Sequence, residues 1–288
     1  MFKKGAAMAL RKRNLPRGWY PEDGAEVSKL LSGWELEGEV PAGAAAAVAP
    51  HAGWAFSGKL AYRALRSLRD AQTVAVIGGH LRASSQPLVA FEEFYDSPLG
   101  PLEADSELRE ELSRLLGLRK PGPLSLRGDE VPDNTVEVQL PLVKARFPSA
   151  RVLWLRAPNG PASILLGQAL SEAASSLGRK LACLGSTDLT HYGPSYGFAP
   201  AGGGPAAERW VREVNDTAFI EALLSMSPEE GLRRGCDDQS ACSPGAAAAA
   251  LAFALAEGAT RAELLGYATS LELRSDESFV GYAALGFY

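Results

Sequence analysis

Short apolar runs alternate with longer amphipathic stretches along most of the chain. The runs predict strands at Ala44–Ala49, Thr73–Ile77, Leu88–Phe91, Arg151–Leu155, Leu181–Leu184, Glu263–Tyr267 and Phe279–Phe287. Several of them are continuous rather than alternating, the pattern of strands covered on both faces. Helices are predicted over Gly58–Leu68, with Ser57 as cap, and from Asp105 or Ser106 to Leu116. Further helices are expected at Ser163–Leu177, Ala206–Leu224 and Ala246–Ala256. Asn134 followed by Glu137 has the spacing of a capping box, and Pro141 should bend what comes after it. This order predicts an α/β fold: a mixed, mostly parallel central sheet with helices on both faces. The Gly/Pro-rich stretch Ala199–Pro205 reads as a loop inside one domain, so residues 1–288 are taken as a single domain.

Composition narrows the class. A hydrophobic content of 46% over 288 residues supports a substantial core. The net charge is only −5 and no Lys/Arg stripe is present, which argues against a nucleic-acid partner. The basic segment at residues 1–17 is expected to be a flexible, solvated arm, and its GAAMAL stretch is too short for a signal-peptide core. The Ala-rich run from Pro244 to Ala256 falls short of a membrane span. Three cysteines without a CxxC pair fit a reducing compartment, so a soluble, cytoplasmic protein is expected.

The chain has only three histidines, and each follows an apolar run that reads as a strand: AAAAVAPHAG for His51, VAVIGGH for His80, LACLGSTDLTHYG for His191. Loops beyond the carboxyl ends of strands converge on one rim in an open α/β sheet. One histidine there is more often a hydrogen-bonded loop residue than a ligand, but three on one rim point to a metal. Cys242 precedes the Ala-rich helix, where the dipole and the unpaired N–H groups favour a thiolate. Cys236, six residues earlier, is its rival, whereas Cys183 reads as a small buried hydrophobe in its strand. Two imidazoles and a thiolate suit Fe, Cu or Zn, and three protein ligands leave positions open for water or substrate. Asp188 and His191 in STDLTH are then candidates for orienting a bound water or moving a proton. Other patterns carry less. VIGGHLRASS lacks a dinucleotide fingerprint, Ser186 lacks a G-x-S-x-G setting, and the acidic GDEVPD segment (128–133) reads as a solvated turn.

Several motifs appear in a characteristic order: GWYPED near the start, APHAGWAFSG (49–58), SPLGPLEAD (97–105), VEVQLP (136–141), STDLTHYG (186–193), ACSPG (241–245) and SFVGYAAL (278–285). In these the chain, from about Gly18 to Tyr288, resembles the MEMO family, also called AmmeMemoRadiSam system protein B, which is related in fold to class III (LigB-type) extradiol dioxygenases. The resemblance implies one metal ion held by His51, His80 and Cys242, with Asp188 and His191 as pocket residues. It implies Fe(II) as first choice, with copper or zinc behind it. The implied activity is a dioxygenase-like oxidoreduction of a small molecule. A non-catalytic peptide- or protein-binding module, with radical-SAM and AMMECR-type proteins as partners, is the alternative, and a metal-assisted hydrolase a third. The chain departs from the family pattern at three places. Gly78-Gly79-His80 is one residue shorter than the family's Gly-Pro-Asn/Ser-His turn. Asp133-Asn134-Thr135 stands where the family carries Glu-His-Ser, so an amide replaces an imidazole. Ser243 follows the cysteine in place of glycine.

Overall fold

A computed structural model describes residues 9–36, 38–119, 122 and 124–288. Its centre is a mixed sheet in which Ala46–Ala49, Leu181–Ser186, Thr73–Leu81 and Arg151–Pro158 lie side by side and parallel, in that order. The antiparallel hairpin Ala262–Thr269 and Phe279–Phe287 flanks one side, the latter strand pairing with Ala46–Ala49. The short strand Leu88–Val89 runs antiparallel to Arg151–Pro158 on the other side.

The continuous apolar runs have a two-sided burial. Ala46, Val48, Ala75, Ile77, Leu153, Leu155, Leu181 and Cys183 belong to one core cluster, with Leu166, Ala169 and Leu170 of the helix Ala162–Ser176 and most of the helix Pro244–Ala256. Their immediate neighbours Ala47, Ala49, Val74, Val76, Val152, Trp154, Ala182 and Leu184 belong to another, with Ala61, Ala64 and Leu65 of the helix Trp54–Ser67. Successive side chains of a strand point to opposite faces, so a run apolar at every position is what a sheet between two helical layers requires. The alanines of Pro244–Ala256 let that helix lie unusually close to its neighbour: a Cβ added at Gly167 would fall 2.1 Å from the Ala249 carbonyl oxygen. The start of the helix, just after Cys242, is packed as closely: a Cβ added at Gly245 would fall 2.0 Å from the Pro158 carbonyl oxygen.

The structure departs from expectation at identifiable points. The strands run longer than predicted at their carboxyl ends, to Leu81, Pro158 and Ser186, so His80 lies inside a strand rather than after it. Leu88–Phe91 shrinks to Leu88–Val89. Trp54–Ser67 starts earlier than predicted and has Gly53 as N-cap; the Ser57 hydroxyl instead donates to the Ala52 carbonyl. The Asp105 side chain caps Ser106–Gly117 as expected. The helix predicted over 206–224 contains a π-helical turn at Val211–Asn215. Two helices, Gly24–Glu35 and Pro228–Asp237, were not anticipated, although Asp23 and Ser227 cap them with side-chain acceptors.

Three polar expectations are corrected. Glu137 does not close a capping box on Asn134. Asp133 is the cap, and the buried Glu137 carboxylate accepts from the backbone N–H of Asn14 and Leu15 and from the Tyr20 hydroxyl. That interaction also ties part of the expected arm to the body of the fold, although most of its described residues are exposed. Residues 1–8 lie outside the described residues, but Leu10–Arg11 pairs with Phe94–Tyr95, and the Arg11 guanidinium sits 4.3 Å over the Trp154 ring. Finally, GDEVPD is a solvated turn only in part: Gly128, Glu130, Val131 and Pro132 are exposed, but Asp129 and the Asp133 carboxylate are both largely withdrawn from solvent. Their partners explain why. No helix among the described residues is long and apolar enough to cross a membrane.

Candidate metal centre

All of the sequence-proposed residues except Cys236 gather at the carboxyl edge of the parallel strands. His51 follows Ala46–Ala49, His80 is near the end of Thr73–Leu81, and Asp188 follows Leu181–Ser186. The loop carrying Asp188 also delivers Cys242: Leu189 bridges Ala241 antiparallel, and the Cys242 N–H donates to the Asp188 carbonyl at 3.2 Å. One ligand atom each from His51, His80 and Cys242 then lies within 4.8 Å of the others. Cys242 Sγ is 3.2 Å from His51 Nε2, and the two imidazole rings meet edge to face with centroids 5.1 Å apart. Metal–nitrogen and metal–sulfur bonds of about 2.1 and 2.3 Å place tetrahedral ligand atoms about 3.5 Å from one another. The spacing here needs only a small contraction to reach that, so these residues fit a single ion. Cys236 is exposed, points its thiol at the Asn159 carbonyl and is not in the group.

The two histidines are held by different means. His51 is 1% exposed. Its backbone N–H donates to Asp188 Oδ1 at 2.6 Å, its carbonyl accepts from Asn134 Nδ2 at 3.1 Å, and its Nδ1 is 3.3 Å from Ser186 Oγ. Gln139 ties this pocket together through Nε2, which donates to the Pro50 carbonyl and to Ser186 Oγ. His80 is exposed and has a φ of 59°, in the left-handed region that few L residues occupy. Its Nδ1 lies 3.1 Å from Asp133 Oδ2, and its backbone N–H donates to Ser243 Oγ at 3.2 Å. The short Gly78-Gly79 turn is needed here because a Cβ at Gly79 would lie 2.3 Å from Ser243 Oγ. Ser243, where the family pattern has glycine, thus fills the space beside a glycine and holds the histidine.

The three groups polarise one another. Burial alone would lower the pKa of His51, but the Cys242 sulfur and the Asp188 carboxylate beside it raise it to about 8. His80 is likewise opposed by burial and raised to about 10 by its hydrogen bonds to Asp133 and Cys242. Burial would raise the Cys242 thiol, yet the charge and hydrogen bond of His51, with His80 and His191, hold it well below 9.0. The arrangement favours a thiolate between protonated imidazoles, whose ring protons a bound cation would displace. Burial pushes Asp188 above its ordinary value, against the pull of His51.

A cavity of about 590 Å³ opens beside the two histidines, bordered by His51, His80, Asn134, Asp188, His191 and Tyr196. His191 is not among the three clustered residues; its Nδ1 faces the Leu189 carbonyl at 3.1 Å and its ring stacks edge-on to Tyr196 at 4.9 Å. It borders the cavity beside Tyr196. Sequence reasoning missed Asp133, Arg156, Gln139 and Tyr196. Arg156 carried a readable signal, a lone charge inside the apolar strand RVLWLRAP.

Comparison with known proteins places the chain. A family model described as "Memo-like protein" matches residues 11–286. A MEMO1 family protein of Thermococcus onnurineus is 31% identical over 258 residues, covering 84% of this chain and 86% of its own length. Another, from Methanosarcina barkeri, is 31% identical over 271 residues and covers 90% and 91%. A MEMO1 family protein of Pyrococcus abyssi is 31% identical, covering 83% and 85%. The solved structure of an uncharacterized protein from Escherichia coli K12 overlays with a TM-score of 0.49 at 14% identity over 83% of this chain and 98% of that one, too distant to argue from. The chain belongs to the Memo-like protein family.

Proposed function

We propose that this Memo-like protein is an iron-dependent, dioxygenase-like oxidoreductase acting on a small organic molecule, with one Fe(II) held by His51, His80 and Cys242. The observation that carries the reading is the meeting of two imidazoles and a thiolate within 4.8 Å of one another, with both imidazoles on the border of a 590 Å³ cavity that further titratable groups also line. Three protein ligands would leave further coordination positions for water or substrate. The set suits iron and also copper and zinc, and the fold relationship to extradiol dioxygenases favours iron. When bound, the ion would supply the means of activating O₂ or a small redox substrate.

The chain's own residues do the rest. Asp188 fixes the His51 backbone through its N–H and so aims the ring. His191, on the cavity wall, takes or gives a proton at the nitrogen not facing the Leu189 carbonyl. Tyr196, edge-on to His191, limits how far that ring can turn. Asn134 contributes an amide that cannot titrate near neutrality, so proton transfer falls to His191.

The test is elemental analysis of anaerobically purified wild type beside His51→Ala, followed by oxygen uptake with a panel of catechols. One equivalent of iron, lost in the variant, with oxygen uptake by the wild type, is the expected result. Zinc in the wild type with hydrolysis that needs no oxygen would overturn the redox reading. Absence of any metal would overturn the metal site itself.

A further inference from the structure

We propose that Arg156 is a positioning residue for the metal centre, fixing His80 through Asp133 and through the Gly79 carbonyl so that His80 Nε2 stays aimed at Cys242. The inference rests on the reading of His51, His80 and Cys242 as a metal site.

His80 is the ligand with least support from packing. It is exposed and sits at φ 59°, a conformation that persists in an L residue only when its surroundings over-determine it. Ser243 Oγ accepts from its N–H and Thr135 Oγ1 from the N–H of Gly79, and one guanidinium reaches both the backbone before it and the carboxylate facing its ring. Arg156 Nε donates to the Gly79 carbonyl at 2.9 Å, the residue immediately before His80. Its Nη2 lies 3.2 Å from Asp133 Oδ2, the same oxygen that faces His80 Nδ1. Its Nη1 donates to Asp129 Oδ1 at 3.1 Å, and Asp129 is held in turn by the Trp154 indole N–H at 2.8 Å. A single planar fork thus grips both the backbone leading into His80 and the carboxylate that orients its ring.

The placement follows from the sheet. Arg156 stands in register with Gly78 on the neighbouring parallel strand, where the pairing shifts before Leu81. It is 5% exposed, which for an arginine demands that its donors be met by acceptors. Asp129 and Asp133, both from the segment read as a solvated turn, meet them. Lysine in its place carries the charge but not the fork: one ammonium has no fixed plane and cannot span three acceptors in this arrangement. The line of force runs from the strand Arg151–Pro158 through Arg156 and Asp133 to His80 Nδ1, and leaves Nε2 as the nitrogen available to a metal.

The experiment is a double-mutant cycle read by Zn(II) affinity, measured on the full chain by competition with a chromophoric chelator. Arg156→Lys should weaken Zn(II) binding about 10- to 100-fold. In a His80→Ala background the same substitution should change affinity by less than about twofold, because the residue through which it acts is gone. An equal loss with and without His80 would mean a general structural effect and overturn the proposal, as would wild-type affinity in Arg156→Lys. Should Arg156→Lys fail to fold, Asp133→Asn, which leaves the Arg156–Asp129 pair intact, enters the same cycle with the same expected outcomes. A second readout needs no metal. The Nδ1–H of His80, shielded by Asp133, should give an NMR resonance protected from solvent exchange in the wild type and lost in Arg156→Lys. If the wild type binds no Zn(II) yet the resonance behaves as described, the metal reading fails and the positioning role stands. If Zn(II) binds but the resonance is unaffected by Arg156→Lys, the positioning role fails.

Discussion

His51 and His80 face the same sulfur from two different kinds of structure. His51 sits at the end of a fully buried strand, enclosed by Ser186, Gln139 and Asp188, and has nowhere else to go. His80 sits on an irregular strand end, exposed, in a left-handed conformation, and depends on Asp133, Ser243 and Arg156 for its direction. One ligand is placed by the hydrophobic core and the other by a polar scaffold built on top of it. A site made this way keeps a rigid half and an adjustable half, and the two should respond differently to every perturbation.

The largest difference is expected from removing each ring. His51→Ala should abolish metal retention and also destabilise the metal-free protein by about 2–4 kcal/mol, because it opens a cavity and leaves Asp188 without its buried partner. His80→Ala should weaken Zn(II) binding yet leave it measurable, and shift metal-free stability by no more than about 1 kcal/mol, the range of an exposed pair. Urea denaturation of both apo variants checks this, and equal destabilisation would erase the distinction between core-held and scaffold-held ligands. Cys242→Ala should likewise lose the metal, while Cys236→Ala retains it.

A proton titration should separate the two at the next level. Metal binding requires both rings to be deprotonated at the ligating nitrogen. His51 is raised from 6.5 to about 8 and His80 to about 10. Affinity should therefore climb as pH rises through 8 and keep climbing more shallowly toward 10. In the metal-free protein the sign reverses. Each imidazole has a folded pKa above its unfolded value, so the stability it adds is full below about 6.5 and fades as pH rises through 8 and then 10. Chelator competition and apo melts across pH 6–11 measure both slopes. His51→Ala should flatten the segment around pH 8 and leave the one above it.

The same contrast governs what the sequence could reveal. The core-held half was legible: the apolar run AAAAVAPHAG gives a buried strand with a histidine beyond its end, and the Ala-rich helix start gives Cys242. His80 was legible as a residue but not as a geometry, since nothing local to VIGGH shows that the strand continues to Leu81 with a shifted register. Its supports were not legible. GDEVPD has the composition of a solvated turn, and only the arrival of Arg156 from a distant strand turns two of its carboxylates inward. Arg11 was illegible for the same reason: it is basic and near the start of the sequence, but its partners Trp154 and Glu92 come from elsewhere in the chain. Apolar patterning is a local signal, whereas polar satisfaction is settled between segments far apart.

His191→Ala should produce a subtler effect. The ring borders the cavity without joining the clustered donors, so metal content should stay at the wild-type level while reactivity falls by about 10²-fold, the scale of a lost general acid or base. Elemental analysis beside oxygen-uptake rates tests it, and loss of metal would move His191 among the ligands.

The smallest change concerns the point where this chain leaves its family's pattern. Asn134 donates from Nδ2 to the His51 carbonyl at 3.1 Å and borders the cavity beside the rigid half of the site. Asn134→His would restore an imidazole at the position the family resemblance assigns to one. A ring N–H can keep the bond to the His51 carbonyl, so stability should move by no more than about 0.5 kcal/mol and metal content not at all. What should change is the pH profile: an added group with an ordinary value near 6.5 puts a new limb into the rate where the amide gives none. If the variant's profile overlays the wild type's, the cavity draws its proton from His191 alone, and the loss of the family histidine has altered nothing that His191 does not already supply.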